Sequence, residues 1–319
     1  MTETSPPEGD AGPNSASERS ANENTARAAG ALPGLLSYLL LSSRPLSWIN
    51  TAFPFAAAYV LTTGSLDARL VLGTIFFLIP YNLAMYGIND VFDFESDLAN
   101  PRKGGSHGAV LPRDRHRAIL VASAVSTVPF IIALVALGDP WSWLVLALSM
   151  FAVVAYSAPV LRFKERPYVD SMTSSFHFVS PAIYGLVLAA ATPTWPLGAI
   201  LAAFFLWGMA SHAFGAVQDV VPDRAANIHS IATAIGARRT VRLAIVLWAL
   251  AGLLMLATAW PGPLAVALAV PYILAAAPFW SVSDAASGVA TRGWDKFLWI
   301  NYAVGFLATM LLIWFAVLR

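Results

Sequence analysis

Long apolar segments recur along almost the whole chain, and they restrict its fold more than any other feature. Nine of them approach the roughly 20 residues that an α-helix needs to cross a bilayer. Their approximate limits are residues 46–63, 70–88, 118–138, 141–161, 171–191, 195–217, 241–260, 263–281 and 297–318. Only 12% of the residues are charged, whereas about a quarter of a soluble domain is charged. The pattern predicts an all-α integral membrane protein with nine transmembrane helices in one bundle.

The beginning of the chain differs in composition from the rest. Residues 1–30 are rich in Ala, Ser, Glu, Asn, Pro and Gly and contain no large apolar residue after Met1. A segment of this kind buries too little surface to offset the entropy of ordering it, so we expect a disordered polar tail. Residues 31–319 are then the membrane domain. Within it, residues 31–44 are apolar but short, which favours an interfacial helix ahead of the first span.

Basic residues are concentrated in alternate loops. The loops after the second, fourth, sixth and eighth predicted spans each contain Arg or Lys, while the loops between them contain only Arg69. The positive-inside rule places basic loops in the cytoplasm. We therefore expect a multi-pass protein of the plasma membrane, with a cytoplasmic N-terminus and a C-terminus on the opposite side. A net charge of +1 gives no basic field for nucleic acid, and the sequence identifies no protein partner.

Two acidic clusters stand at the cytoplasmic ends of the second and sixth predicted spans. Asp90, Asp93 and Asp97 are three and four residues apart, and Asp219 and Asp223 are four apart. These spacings put the carboxylates of each cluster on one face of a helix. The equivalent positions of the clusters, four helices apart, suggest two helix–loop units that face each other across a cytoplasm-facing cavity.

Clustered carboxylates repel one another, and a bound cation relieves that repulsion. Oxygen ligands in a chain with no Cys and five His suit Mg²⁺, which completes its coordination shell with water and substrate phosphate. Basic side chains on the same side could bind the remaining phosphate charge; they include Arg102, Lys103, Arg162 and Lys164. The combination predicts a site for a diphosphate held by more than one Mg²⁺. No Gly-rich phosphate loop is present, which disfavours a nucleotide.

Polar residues also continue from the acidic clusters into the predicted spans. Asn82, Tyr86 and Asn89 share a helix face with Asp93, and we interpret them as part of a substrate-binding stripe. His177 and His212 lie inside spans, and His212 is seven residues before Asp219. A histidine beside the site could accept a proton, although buried histidines in membrane bundles more often form interhelical hydrogen bonds.

Asn89-Asp90-x-x-Asp93-x-x-x-Asp97 resembles the NDxxDxxxD motif of the UbiA superfamily of membrane prenyltransferases. Asp219-x-x-x-Asp223 resembles the second motif of that family, DxxxD. The resemblance covers residues 43–319. It is closest to the carotenoid-acting branch, the lycopene elongases, in the stretches 82–93, 100–103, 156–167, 175–181 and 212–219.

The resemblance implies an activity. An allylic diphosphate, with a C5 dimethylallyl group the expected donor, would bind through Mg²⁺ to the five aspartates. Loss of diphosphate would leave an allylic cation that alkylates a lipophilic polyene, with lycopene the expected acceptor, in the biosynthesis of C50 carotenoids. Asp90, Asp93, Asp219 and His212 would be catalytic. The substrate-binding residues would be Asn82, Tyr86, Asn89, Arg102, Lys103, Tyr156, Arg162, Lys164, Arg44, Asn50 and His177.

Two other functions are also considered. An enzyme of the same fold could use an aromatic acceptor such as a quinone precursor. A cation transporter would instead need charges near the bilayer midplane. All five aspartates lie at one membrane face, outside the predicted spans, which favours an enzyme.

Overall fold

The computed structural model describes residues 34–99 and 111–318, and within these ranges every regular element is a helix. The α-helices are α1 (Leu35–Ser43), α2 (Ile49–Thr63), α3 (Ala68–Leu78), α4 (Pro80–Phe92), α5 (Phe94–Ala99), α6 (His116–Leu137), α7 (Pro140–Ser157), α8 (Val169–Leu188), α9 (Trp195–Val217), α10 (Val220–Ala225), α11 (Ile231–Ile235), α12 (Ala237–Leu254), α13 (Val270–Ala276) and α14 (Thr291–Val317). Short 3-10 helices are Pro45–Ser47, Arg113–Arg115, Phe163–Glu165, Met255–Ala257, Gly262–Ala269, Ala277–Phe279 and Asp284–Ala290. The predicted tail, residues 1–30, lies outside the described residues.

Helical structure occupies each position at which a span was predicted, and the all-helical fold is confirmed. In the described part of the chain, seven helical stretches are long and apolar enough to cross a membrane: Ala68–Phe92, Arg113–Leu137, Pro140–Ser157, Trp195–Val217, Ala237–Ala257, Gly262–Phe279 and Trp299–Val317. The other two predicted spans correspond to α2, which has 15 residues, and to α8. Whether these two helices also cross the membrane stays a prediction.

The second predicted span consists of two helices, α3 and α4, which meet at Ile79 and Pro80. Proline has no backbone N–H and disfavours a helical conformation in the residue before it. The carboxamide of Asn82 donates to the carbonyl oxygens of Phe77 (2.8 Å) and Leu78 (3.1 Å), next to the break. It also donates to Thr51 Oγ1 on α2, at 2.7 Å. Asn82 therefore stabilises the junction between α3 and α4 and links it to α2.

The bundle contains two main apolar cores. The first consists mainly of aromatic and aliphatic side chains from α2, α3, α4, α7 and α8, among them Phe55, Phe77 and Tyr184. The second is formed by α9, α12, α13 and α14 around Trp248 and Tyr272. Each core includes the helix that leads into one of the acidic clusters, which agrees with two facing helix–loop units.

Helix α8 is enclosed by its neighbours, and this explains its polar sequence. It packs against α2, α7 and α9, and 13 of its 20 residues are buried. At Gly185 a Cβ atom would lie 2.7 Å from the carbonyl oxygen of Phe55, so only glycine allows α2 this close. Small residues at such crossings are typical of membrane bundles. Because its neighbours bury most of α8, it can carry hydroxyl groups that a lipid-facing helix could not.

Candidate active site

A cavity of about 1950 Å³ lies between the helices of the two cores. Along α9 its wall extends from Pro196 to Ala216, which is about 30 Å at 1.5 Å per helical residue. Asp93, Asp97 and the second acidic cluster line one end. Near the other end the wall is formed by uncharged residues such as Leu61 and Leu312. The cavity thus combines one acidic end with a long, mainly apolar remainder.

The first acidic cluster divides between two environments. Asp93 terminates α4 and Asp97 lies in α5, and both line the cavity. Asp90, by contrast, is 1% exposed and is absent from the cavity wall. Its carboxylate accepts hydrogen bonds from Ser42 Oγ at 3.0 Å and from Arg44 Nη2 at 2.8 Å. Asp90 thereby fixes Arg44, a residue that does line the cavity.

Arg44 is held on a second side by an aromatic ring. Its guanidinium carbon lies 4.3 Å from the centre of the Tyr86 ring, within the range of a cation–π contact. Both residues line the cavity, together with Asn50 and Asn89. The Oδ1 atom of Asn89 accepts a hydrogen bond from Ser157 Oγ at 2.9 Å. These four residues, all predicted to bind substrate, thus lie around one cavity.

The second acidic cluster lies where α9 ends and α10 begins. Asp219 precedes α10 and Asp223 is in its first turn, and the backbone N–H of Asp223 donates to the carbonyl of Asp219 at 2.9 Å. Both aspartates line the cavity. The adjacent Gln218 accepts a hydrogen bond from Thr291 Oγ1 at 2.9 Å, which ties this segment to the start of α14.

Lys164 joins the two acidic clusters electrostatically. It lies on the cavity wall in the 3-10 helix Phe163–Glu165 and forms an ion pair with Asp93. Burial lowers the pKa of Lys164 to about 8, although the charges of Glu165, Asp223 and Asp90 act to raise it. One ammonium group therefore lies within reach of carboxylates from both clusters, as expected if the two clusters face each other.

The other predicted basic residues are placed differently. Arg162 is paired with Glu165, and its Nη2 atom is 4.0 Å from Asp93 Oδ1, but it is not part of the cavity wall. Arg102 and Lys103 lie outside the described residues. Glu165 and His229 line the cavity near the acids and were missed, since neither belongs to a recognisable motif.

Asn82 does not fit its predicted role in substrate binding. It is fully buried, it is absent from the cavity wall, and its carboxamide is engaged at the α3–α4 junction. Helical spacing puts Asn82 on the face of Tyr86 and Asn89, but only the latter two line the cavity. The Asn82 carboxamide has a structural role, because the carbonyl groups next to the helix break before Pro80 need hydrogen-bond donors.

The predicted histidines meet around Tyr156. His177, His212 and Tyr156 all line the cavity. The Tyr156 ring contacts that of His177 edge-on, with centroids 5.3 Å apart, and its hydroxyl is 3.1 Å from His212 Nε2. The other ring nitrogen of His212, Nδ1, lies 3.1 Å from Ser171 Oγ.

The donor chemistry of the acidic end fits Mg²⁺. Four carboxylates from two segments line the same cavity, and carboxylate oxygen is the ligand that Mg²⁺ prefers. In the part of the chain that the structure describes, no three acidic or imidazole groups are arranged to enclose an ion by themselves. Mg²⁺ typically takes one or two carboxylates and leaves other positions to water and phosphate. Asp93, Asp97, Asp219 and Asp223 are the residues that could hold it.

Comparison with known proteins identifies the family. The model of the UbiA prenyltransferase family matches residues 51–301. A lycopene elongase/hydratase of Corynebacterium glutamicum is 55% identical over 278 residues, which cover 86% of this chain and 96% of the relative. The C(50) beta-cyclic carotenoids biosynthesis protein LbtBC of Dietzia sp. is 56% identical over 283 residues, covering 88% of this chain and 66% of the relative.

A solved structure shares the fold. A UbiA homolog from Archaeoglobus fulgidus bound to DMAPP and Mg2+ superposes with a TM-score of 0.63 at 20% identity, covering 83% of this chain and 98% of the homolog. The resemblance inferred from the two aspartate motifs is thus confirmed, and an enzyme is supported over a transporter. The chain belongs to the UbiA prenyltransferase family and is a prenyltransferase similar to the lycopene elongases.

Proposed function

We propose that this protein transfers a C5 allylic group from its diphosphate to lycopene, in a Mg²⁺-dependent reaction at the cytoplasmic face of the plasma membrane. The observation that carries this proposal is the two-part cavity, whose acidic end suits a metal-bound diphosphate. Its mainly apolar remainder takes up most of the wall of about 30 Å along α9 and suits a polyene. The names of the close relatives support the acceptor, and the ligand of the A. fulgidus homolog supports the donor.

The reaction begins with binding of the diphosphate at the acidic end. Bound Mg²⁺ would draw negative charge from the diphosphate and so make it a better leaving group. Lys164 and Arg44 supply positive charge on the same wall, and Arg44 is held in place by Asp90. Preorganised charges of this kind stabilise the departing diphosphate more than a mobile side chain would, because little reorganisation is needed.

Departure of the diphosphate leaves an allylic cation that must not meet water. The mainly apolar wall beyond the acidic end would keep bulk solvent away from the cation, and the Tyr86 ring on the cavity wall can contribute a cation–π contact. The electron-rich end double bond of the polyene then attacks the cation. A new carbon–carbon bond forms, and the positive charge moves to a tertiary carbon of the acceptor.

The test is a turnover assay on purified protein with dimethylallyl diphosphate, lycopene and Mg²⁺, in which elongated carotenoids are separated by mass. Asp93→Asn and Asp219→Asn should each lower turnover by about 100-fold or more. Asp114→Asn is the matched control, since Asp114 is exposed, lies outside the cavity and should tolerate the same change. Chelation with EDTA should stop the reaction.

Three results would contradict the proposal. Turnover that persists in EDTA would show that the reaction needs no metal. Normal activity of Asp219→Asn would show that Asp219 is not part of the site. A panel of acceptors decides the remaining point, because prenylation of an aromatic ring in place of lycopene would show that the acceptor is wrong.

A further inference from the structure

Four polar side chains from three helices form a continuous series of hydrogen bonds, which is buried at one end and reaches the cavity at the other. Tyr156 on α7 contacts His212 on α9 at 3.1 Å, and His212 contacts Ser171 on α8 at 3.1 Å. The hydroxyl of Ser171 in turn donates to Asp170 Oδ1 at 3.3 Å. Tyr156 and His212 line the cavity, whereas Ser171 and Asp170 are fully buried.

The charge of Asp170 determines which group donates and which accepts in each of these hydrogen bonds. Its carboxylate can only accept hydrogen bonds, and it also accepts the backbone N–H groups of Ser171 and Ile231, each at 2.7 Å. A charged acceptor attracts the Ser171 hydroxyl proton more strongly than a neutral imidazole does. Ser171 Oγ is then free to accept Nδ1–H of His212, and His212 Nε2 becomes the acceptor for the Tyr156 hydroxyl.

The donors to Asp170 within the described residues are neutral groups. A buried carboxylate surrounded by neutral donors is costly in a membrane protein. Protonation of His212 would create an imidazolium separated from Asp170 by a single hydroxyl group, and this opposite charge would offset part of that cost. The charge of Asp170 therefore favours uptake of a proton by His212, near the cavity end of this series of hydrogen bonds.

The cavity wall around Tyr156 is also polar enough to hold a water molecule. Ser174, His177 and Ser211 line the cavity along with Tyr156 and His212. A buried water needs two to four polar partners, and this group provides them. His212 lies five residues, or about 7.5 Å along the helix, before the end of α9 at Val217, and Asp219 follows that end. The polar patch is therefore set apart from the acidic end where the leaving group would bind.

We propose that Tyr156 and His212 form a catalytic base for addition of water to the elongated acceptor, and that Ser171 and Asp170 are the residues that position His212. The role rests on the proposed function, because elongation supplies the tertiary carbocation. The oxygen of the water donates a lone pair to that carbon and forms a C–O bond. A water proton passes to Tyr156 Oη while the Tyr156 proton passes to His212 Nε2. The products are a tertiary alcohol and an imidazolium.

The experiment measures how product divides between alcohol and alkene, with dimethylallyl diphosphate and lycopene as substrates. Mass spectrometry in ¹⁸O-labelled water counts oxygen gained from solvent. Tyr156→Phe and Ser171→Ala should lower the hydrated fraction of the product about tenfold or more, since a general base contributes at least this much. Release of diphosphate by Ser171→Ala should stay within about threefold of the unsubstituted protein, because Ser171 lies outside the cavity wall and the base acts after the carbon–carbon bond has formed.

Ser175→Ala is the matched control. Ser175 is buried on the same helix, its hydroxyl donates to the carbonyl of Phe205 at 2.6 Å, and it does not line the cavity. This variant should keep the product ratio of the unsubstituted protein. Ser171→Thr retains the hydroxyl and should restore hydration, which a purely structural defect would not do. Asp170→Asn should act like Ser171→Ala.

The outcomes separate the two proposals. Elongated product with an unchanged hydrated fraction in both Tyr156→Phe and Ser171→Ala would overturn the base and leave the prenyl transfer intact. Elongated product without any solvent oxygen in the unsubstituted protein would do the same. Absence of elongated product from the unsubstituted protein would overturn the transfer to lycopene, and the hydration role would fall with it.

Discussion

At the residue scale, the end of α4 gives Asp90 and Asp93 different surroundings. Helical periodicity places Asp90 and Asp93 on one face. However, α4 ends at Phe92, so Asp93 leaves the helix and reaches the cavity while Asp90 stays turned toward Ser42 and Arg44. The end of a helix cannot be located to within one residue from sequence alone. The buried Ser171 that contacts His212 was missed for a different reason, since it belongs neither to an aspartate motif nor to the stretches that carry the family resemblance.

A pH dependence follows from the environment of Lys164, whose pKa burial lowers to about 8. Below this pH the side chain is charged and can bind the diphosphate, and above it the charge is lost. We therefore expect kcat/KM for the allylic diphosphate, which reports on the free enzyme, to fall as the pH rises through about 8. Steady-state kinetics between about pH 6.5 and about pH 9.5 measure this, a range that brackets the ionisation.

Lys164→Arg provides the control, because arginine stays protonated throughout this range. Its kcat/KM should no longer fall near pH 8, whatever its absolute value. An alkaline fall that persists unchanged in Lys164→Arg would assign the titration to another group. Lys164→Met should lower kcat/KM by about 10- to 100-fold near neutral pH, the loss expected for a hydrogen bond to a charged group.

At the scale of elements, hydropathy located the helical segments correctly but could not show which of them face lipid. Apolar composition identifies a membrane helix because lipid surrounds it. Helix α8 need not be apolar throughout, because neighbouring helices bury most of it, and it can carry Ser175 and His177 inside the bundle. The sequence also did not reveal the helix break at Ile79. A proline inside a membrane segment can either kink one helix or separate two helices, and hydropathy does not distinguish the two outcomes.

The crossing of α2 and α8 gives a prediction about stability. In Gly185→Ala the new methyl group would lie 2.7 Å from the carbonyl oxygen of Phe55, and the backbone cannot move away as a flexible side chain would. We expect this substitution to destabilise the fold by about 1–3 kcal/mol, the usual cost of overpacking. Thermal denaturation of the purified protein in a single detergent measures the loss.

Gly198→Ala on α9 is the comparison, since a Cβ atom added at Gly198 would have nothing within 4 Å. There the better helix propensity of alanine should leave stability unchanged or raise it by up to about 1 kcal/mol. Equal melting temperatures for the two variants would show that α2 and α8 are not packed this closely.

At the scale of the whole molecule, the helices of two cores surround a cavity. The number of membrane crossings decides on which side of the membrane each loop around this cavity lies. From the positions of the acidic clusters, the sequence suggested two helix–loop units that face each other. It could not predict the cavity's length, which depends on how far apart the two cores hold their helices. It predicted that α2 and α8 span the bilayer, and this stays a prediction, because α2 is short and α8 is polar.

Labelling of single cysteines tests whether α8 crosses the membrane. The natural chain contains no cysteine, so Arg166→Cys and Pro193→Cys each introduce one thiol, in the loops before and after α8. If α8 spans the bilayer, a membrane-impermeant maleimide added to intact cells should label Pro193→Cys, and Arg166→Cys should react only after lysis. Labelling of both thiols from the same side would show that α8 does not cross.

The length of the cavity along α9 has a consequence for redesign. Pro196, Ile200, Phe204, Gly208, Ser211 and Gly215 lie on its wall at intervals of three or four residues, so each marks a step of about one helical turn, or about 5.4 Å. A bulky side chain placed at successive steps would shorten the space available to the acceptor by defined increments. Such a graded set of variants should accept polyenes of successively shorter length, which would give enzymes selective for shorter acceptors.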